Sequence, residues 1–74
     1  MPRKVRELKS DLQRAGFRVR PGKGSHTVWE HPLIPEYPVT VSGHDGGDAE
    51  RYQEKDVREA LRALREAQAR GGQT

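Results

Sequence analysis

The histidines are the residues with which this chain can most readily transfer protons near neutral pH. They are His26, His31 and His44, which lie five and thirteen residues apart along the chain. No two of them have the spacing with which one helix face binds a metal ion. The chain has no cysteine, which excludes disulfides, cysteine-ligated zinc and thiol nucleophiles. We therefore expect acid–base chemistry that needs no metal and no cofactor.

His26 follows a glycine-rich turn that carries positive charge. This turn contains Lys23, Gly24 and Ser25 and delivers His26 to the first position of a predicted strand. Arg20 and Lys23 supply charge for a phosphate, and the N–H groups of Gly24 and Ser25 can hold one of its oxygens. Metal-free RNA cleavage needs a base for the 2′-hydroxyl and a stabilised phosphorane, which these groups can provide. The alternative is a surface histidine without a catalytic role, which is the commoner case beside a glycine turn.

Charge is distributed unevenly along the chain. Residues 1–24 carry eight basic and two acidic groups, residues 25–50 carry five acidic groups and no Lys or Arg, and residues 51–74 carry six basic and four acidic groups. A basic first third favours a polyanionic partner such as RNA, because each phosphate contact releases counterions. A solvated helix face explains the same pattern about equally well.

Two amphipathic helices are predicted, one towards each end of the chain. The apolar residues of the first recur at helical spacing and are Val5, Leu8, Leu12 and Ala15. They predict a helix over about residues 4–15, which Gly16 ends. The corresponding residues of the second are Val57, Ala60, Leu61 and Leu64. They predict a helix over about residues 54–69.

Three short strands are predicted between these helices. Phe17–Arg20 alternates apolar and basic side chains, His26–His31 is rich in β-branched and aromatic residues, and Val39–Val41 is a short β-branched run. Such segments favour strands, and three prolines interrupt the connection between the second and third. The order predicts an α+β two-layer sandwich, αβββα, with a three-stranded antiparallel sheet and both helices on one of its faces.

One feature of the second strand leaves two alternatives. Val28 and Trp29 are consecutive, so they point to opposite faces of the sheet and one of them faces away from the helices. Trp29 has the larger apolar area, which favours its burial. A Trp29 on the outer face would instead be a stacking surface for a base or for a partner protein.

Length and composition indicate one small domain. A chain of 74 residues that is 31% hydrophobic can build a single core. We expect that domain to span residues 1–70 and residues 71–74 to form a disordered tail. No run of apolar residues exceeds four, so we expect no membrane span. A small domain without disulfides is typical of the cytoplasm, which is the localisation we expect.

Short motifs along most of the chain occur in the order of a known family. They are Leu8, Leu12 and Ala15-Gly16-Phe17, then Gly24-Ser25-His26, His31-Pro32, Val39-Thr40-Val41, Gly43-His44 and Val57-Arg58-Glu59-Ala60-Leu61. Together they resemble the HicA toxin family, also called YcfA-like, of bacterial and archaeal type II toxin–antitoxin modules. The resemblance covers residue 5 to about residue 65.

This resemblance implies a fold similar to that of a double-stranded-RNA-binding domain. It also implies an endoribonuclease (an mRNA interferase) that cleaves mRNA, arrests translation and is held inactive by a HicB-type antitoxin. The family's catalytic histidine corresponds to His26, and no metal ligands belong to the family pattern. On this interpretation Gly24 and Ser25 shape the phosphate site, and Arg20 and Lys23 hold the RNA backbone.

The chain departs from the family pattern at two places that concern function. A second histidine often follows the first, and this chain has Thr27 there. The segment before the last helix is usually basic, whereas residues 45–53 are acidic here. RNA contacts from that side are therefore in doubt.

Further residues and two other classes of function remain open. Arg6 and Lys9 on the first helix are candidates for extending the RNA surface, and His44 is a candidate second acid–base group or a turn histidine. The chain could instead be an RNA-binding module without chemistry. It could also be a protein-interaction domain that docks a partner on its free sheet face or on Trp29.

Overall fold

An α-helix, three strands and a second α-helix follow one another along residues 3–72, the part of the chain that the computed structural model describes. The helices are α1 (Val5–Arg14) and α2 (Arg51–Ala67), the strands are β1 (Arg18–Pro21), β2 (Thr27–Glu30) and β3 (Val39–Val41), and a π-helical turn (Gln68–Gly72) follows α2. This order confirms the predicted αβββα fold. Of the predicted tail, residues 71–72 lie in the segment after α2, where the backbone of Gly71 is not helical, and residues 73–74 lie outside the described residues.

β2 is the central strand and pairs antiparallel with both of its neighbours. Trp29 lies opposite Val19 of β1 and Val39 of β3, so these three residues share the inner face of the sheet. Trp29 is 5% exposed, and Val28 lies half-buried on the outer face. The interpretation of Trp29 as a core residue is confirmed, and the regular pairing leaves no bulge at this position.

The core lies between the inner face of the sheet and the two helices. Its buried hydrophobic residues are Val5, Leu8, Leu12, Phe17, Trp29, Ile34, Val39, Val41, Ala49, Val57, Ala60 and Leu64. Removing this apolar area from water holds both helices against the sheet. Within residues 3–72, no helix is both long enough and apolar enough to cross a bilayer.

α2 begins at Arg51, earlier than the predicted residue 54, because a polar residue continues its buried face. Gln53 lies four residues before Val57 and is 2% exposed. Its Nε2 donates hydrogen bonds to the carbonyl oxygen and the Oγ of Ser42, at 3.3 and 2.8 Å. The spacing of apolar residues does not reveal that a glutamine is buried, so the sequence pattern places the start of α2 too late.

The proline-rich connection between β2 and β3 contributes to the core as well. The Ile34 N–H donates to the carbonyl oxygen of His31, and the Tyr37 N–H donates to that of Ile34, both at 3.0 Å. Two successive turns therefore place the Ile34 side chain, 2% exposed, against the core. The sequence pattern had indicated only a connection here.

The segment between β3 and α2 covers the beginning of α1. The N–H groups of Val5 and Arg6 donate to the carbonyl oxygens of Gly47 and Asp45, at 2.9 and 3.1 Å. The first amides of a helix lack partners within the helix and usually need a cap or water. Backbone carbonyls meet this need here, so the N-terminus of α1 is not an open anion site.

A chain of two hydrogen bonds ties the buried tryptophan to β3 and leads to our first prediction. The Trp29 Nε1–H donates to Thr27 Oγ1, and the Thr27 hydroxyl donates to the Val41 carbonyl oxygen, both at 3.0 Å. Thr27→Val should lower the free energy of unfolding by about 1–2 kcal/mol, because it leaves the indole N–H of Trp29 without an acceptor in a partly buried place. Thr27→Ser keeps the hydroxyl and should cost less than about 1 kcal/mol. Urea unfolding of both variants checks this, and equal losses would contradict it.

Candidate active site

A four-residue turn from Lys23 to His26 joins β1 to β2. The His26 N–H donates to the Lys23 carbonyl oxygen at 3.0 Å, and the Gly22 N–H donates to the His26 carbonyl oxygen at 2.9 Å. Gly24 has φ +60° and occupies the first central position, where hairpin turns of this kind favour glycine. The sequence therefore folds this segment into a tight hairpin end. His26 is exposed there, beside the end of β2.

Gly22 allows the backbone of His26 to approach closely. A Cβ atom on Gly22 would lie 3.0 Å from the carbonyl oxygen and 3.4 Å from the Cβ of His26. The first distance is shorter than a Cβ tolerates without displacement. The absence of a side chain at residue 22 thus permits the observed position of the His26 backbone.

One hydrogen bond joins this turn to the segment after β3, and further hydrogen bonds join that segment to α2. The Gly43 N–H donates to Ser25 Oγ at 3.2 Å, which joins the turn to the segment after β3. Ser42, the preceding residue, accepts the hydrogen bonds of Gln53. The turn, the end of β3 and the first part of α2 are therefore linked in sequence. Gly43 belongs to one of the family motifs but is not among the predicted site residues, and neither is Gln53, for which the only signal is its position four residues before Val57.

The groups predicted to bind a phosphate differ in whether they already have an ion-pair or hydrogen-bond partner. Among residues 3–72, the ammonium of exposed Lys23 has no carboxylate within 4.0 Å, and the N–H groups of Gly24 and Ser25 donate to no recorded acceptor. Arg20 lies on the outer face of β1, and its guanidinium is 2.6 Å from a carboxylate oxygen of Glu30. Lys23 and the two amides are available to an anion, whereas the charge of Arg20 is partly compensated.

The other two histidines have different surroundings. The ring of half-buried His31 packs edge-on against Phe17, with 5.3 Å between ring centroids. Its Nδ1 accepts a hydrogen bond from the Leu33 N–H at 3.1 Å, so this histidine helps to hold the connection after β2. His44 is exposed, and its carbonyl oxygen accepts a hydrogen bond from the Gly47 N–H at 2.9 Å. His44 follows Gly43, whose N–H donates to Ser25 in the turn, so the backbone of His44 adjoins a residue that is bonded to this turn.

The acidic segment before α2 is largely neutralised by α1. The ammonium of Lys9 is 2.7 Å from a carboxylate oxygen of Asp45, and that of Lys4 is 2.7 Å from one of Asp48. The acidic residues therefore serve to attach this segment to α1. Lys9, a candidate for RNA contact, is engaged in this attachment, while Arg6 is exposed.

Within residues 3–72, no group of three or more His, Asp or Glu side chains is placed to hold a metal ion. The fold and this geometry can be compared with known proteins. Residues 5–68 match the family described as the HicA toxin of bacterial toxin–antitoxin. The chain belongs to the HicA toxin family. No curated protein and no solved structure matches it. Membership implies a toxin of a toxin–antitoxin system, with an antitoxin partner, and the toxins of this family are generally ribonucleases.

The ion pair between Lys9 and Asp45 predicts an acid-dependent loss of stability. The hydrogen bond and the positive charge of Lys9, with smaller contributions from Arg6 and His44, lower the pKa of Asp45 from its ordinary 3.8. Because the pKa of Asp45 is lower in the folded state than in the unfolded state, its ionised carboxylate stabilises the fold at pH values above the ordinary pKa. This stabilisation is lost as the pH falls through the lowered pKa of the folded state. Asp45→Asn should therefore melt at a lower temperature than the parent at pH 7, with a difference that shrinks below about pH 4. Thermal unfolding between about pH 7 and pH 2 measures this, and a difference independent of pH would contradict it.

The close approach at Gly22 leads to a second prediction about this site, with Gly24 as the control. Gly22→Ala should displace the His26 backbone and change the NMR shifts of the His26 amide and ring. Gly24→Ala meets no atom within 4 Å, so its cost is the positive φ alone, about 1–2 kcal/mol of stability. If Gly22→Ala leaves the His26 resonances closer to the parent than Gly24→Ala does, the steric argument is wrong.

Proposed function

We propose that this HicA family member is a metal-independent endoribonuclease that cleaves mRNA with His26 as its catalytic residue. On this proposal it arrests translation in the cytoplasm until a HicB-like antitoxin binds it. The observation that carries the proposal is an exposed histidine at a hairpin end, beside a lysine and two amides that have no partner among residues 3–72. Family membership supports the ribonuclease class, and the residue-level assignment rests on this geometry.

The proposed reaction is an attack by a ribose 2′-oxygen on the neighbouring phosphorus. His26 accepts the proton of the 2′-hydroxyl, and the 2′-oxygen forms a bond to phosphorus. The bond from phosphorus to the 5′-oxygen then breaks, and that oxygen takes a proton from water or from the protonated imidazole. The products are a 2′,3′-cyclic phosphate and a free 5′-hydroxyl. General base catalysis of this kind contributes about 10²–10⁴-fold to the rate.

The phosphate in this reaction gains negative charge as the phosphorane forms, and groups near His26 are suited to stabilise it. Lys23 supplies an uncompensated positive charge, and the N–H groups of Gly24 and Ser25 can donate to the non-bridging oxygens. Arg20 is shared with Glu30, so we assign it to holding the RNA backbone. Ser25 Oγ already accepts a hydrogen bond from Gly43. We therefore assign this hydroxyl to positioning the turn.

Replacing His26 tests the catalytic assignment. His26→Ala should lower the rate of RNA cleavage about 10²–10⁴-fold and abolish growth arrest on expression. The melting temperature should stay close to that of the parent, because the side chain is exposed. His44→Ala is the matched control, since it removes another exposed histidine of the same rim, and it should keep most of the activity. Both variants should bind RNA as the parent does, which a gel-shift or anisotropy measurement checks.

The outcomes of this comparison separate the classes of function. Loss of cleavage in His26→Ala with binding retained supports the enzyme. RNA binding without cleavage in parent and variant alike indicates a binding module, and neither binding nor cleavage indicates a protein-interaction domain. Equal losses in His26→Ala and His44→Ala would assign catalysis to a histidine pair and contradict the single-residue proposal.

A further inference from the structure

The outward face of α2 carries a straight row of positive charge. Its members are Arg51, Lys55, Arg58, Arg62 and Arg65, and we call them the α2 basic row. They recur at intervals of four, three, four and three residues, which places them on one side of a helix. All five are exposed. The row is about 21 Å long at 1.5 Å per residue.

The α2 basic row lies opposite the buried side of the same helix. The buried residues of α2 are Gln53, Val57, Ala60 and Leu64, about half a turn around the helix axis from the basic ones. The row is therefore not needed to pack α2 on the sheet. Lys55, Arg58, Arg62 and Arg65 line one shallow groove of about 310 Å³ together with Glu59.

These five charges are not neutralised within the domain, in contrast to much of the N-terminal charge. Four of the eight basic residues in 1–24 form ion pairs, namely Arg3, Lys4, Lys9 and Arg20. Among residues 3–72, none of the α2 basic row has a carboxylate oxygen within 4.0 Å. A row of basic side chains without ion pairs among residues 3–72 thus lies on α2, where Glu54, Glu59 and Glu66 line the grooves beside it, although the first third of the chain has the larger net charge.

The chemistry of the row favours a phosphate backbone over a protein. Protein interfaces have an apolar centre, and no apolar side chain separates these five cations along the row. Four of the five are arginines, whose planar guanidinium matches phosphate oxygens with paired hydrogen bonds. A regularly spaced row of charges is also complementary to the repeating charge of a nucleic-acid strand.

The row begins at the end of the domain that carries the candidate active site. Arg51 starts α2 two residues before Gln53, which binds Ser42. Ser42 precedes Gly43, which donates to Ser25 in the turn before His26. A strand that leaves the turn at this end can therefore continue along α2 without crossing the core.

We propose that the α2 basic row binds the sugar–phosphate backbone of the RNA outside the segment that is cleaved. This rests on the proposed ribonuclease function for the identity of the nucleic acid. The row binds the RNA through its positive charge and makes no sequence-specific contact with the bases. It adds affinity and takes no part in the bond-breaking step.

The test uses a probe that the proposed reaction cannot cleave. Single-stranded RNA of about 16 nucleotides with 2′-O-methyl groups has no nucleophile, so binding is measured independently of catalysis. Fluorescence anisotropy compares the parent with Arg58→Gln/Arg62→Gln and with the matched control Arg14→Gln/Arg18→Gln. The control removes two exposed arginines elsewhere that have no ion pair among residues 3–72.

The row variant should bind roughly 25-fold more weakly at about 0.1 M salt, and its slope of log affinity against log salt should fall by about 1.4. The control should change far less in both quantities. Glu59→Gln, which removes a negative charge from the groove, should bind the probe more tightly, while Glu36→Gln should not. Because all four replaced arginines are exposed and form no ion pair among residues 3–72, circular dichroism should show both double variants folded.

Three results would overturn the proposal. The row variant could bind the probe as the parent does. The row variant and the control could lose affinity equally, which would indicate a diffuse effect of net charge. The row variant could lose binding to polyglutamate, used as an acidic polypeptide probe, while it keeps RNA binding, which would assign the row to a protein partner. A failure of His26→Ala to stop cleavage would contradict the catalytic proposal without affecting these measurements.

Discussion

The burial of Trp29 is the constraint on which the position of the candidate active site depends. In the observed register Trp29 packs inward, and Thr27 lies opposite Pro21 of β1. A slip of one residue would turn the indole outward and move the Thr27 hydroxyl away from β3. With the register fixed, residues 22–26 must form the reversal between the strands, and His26 comes at its last position. The exposure of this histidine thus follows from packing three residues further along the chain.

A turn rich in glycine would not hold a catalytic group in place without further contacts. Here the bond from Gly43 to Ser25 and those from Gln53 to Ser42 connect the turn to the end of β3 and to α2. Positioning of this kind matters because small displacements of a reacting group strongly lower the reaction rate. The same links place the start of α2 at the end of the domain where RNA would arrive. The polar contacts between the elements therefore position the candidate site. The apolar core holds the sheet and the helices together but does not itself position the turn.

The order of elements could be predicted from sequence because apolar spacing reports directly on burial, as in Val57, Ala60 and Leu64 of α2. The glycine-rich turn before His26 could likewise be recognised from residue types. The burial of Gln53 and Ile34 could not be predicted. Gln53 is a polar residue on the buried face of α2, and Ile34 lies in a connection without regularly spaced apolar residues. Net charge likewise does not reveal which charged groups are paired. A sum over residues 1–24 does not reveal that Lys4 and Lys9 lie against carboxylates of a distant segment.

The size of the domain explains why binding and chemistry would lie on separate surfaces. A domain of this length buries only about 60% of its unfolded surface, which leaves little material to enclose a deep cleft around a substrate. The structure accordingly has shallow grooves, and the candidate base stands at a rim. A site of this kind offers few contacts near the scissile bond, so affinity has to come from elsewhere on the surface. A row of cations without ion pairs among residues 3–72, on a helix already held by its opposite face, would add such affinity at little cost to the core, because all of these residues are exposed.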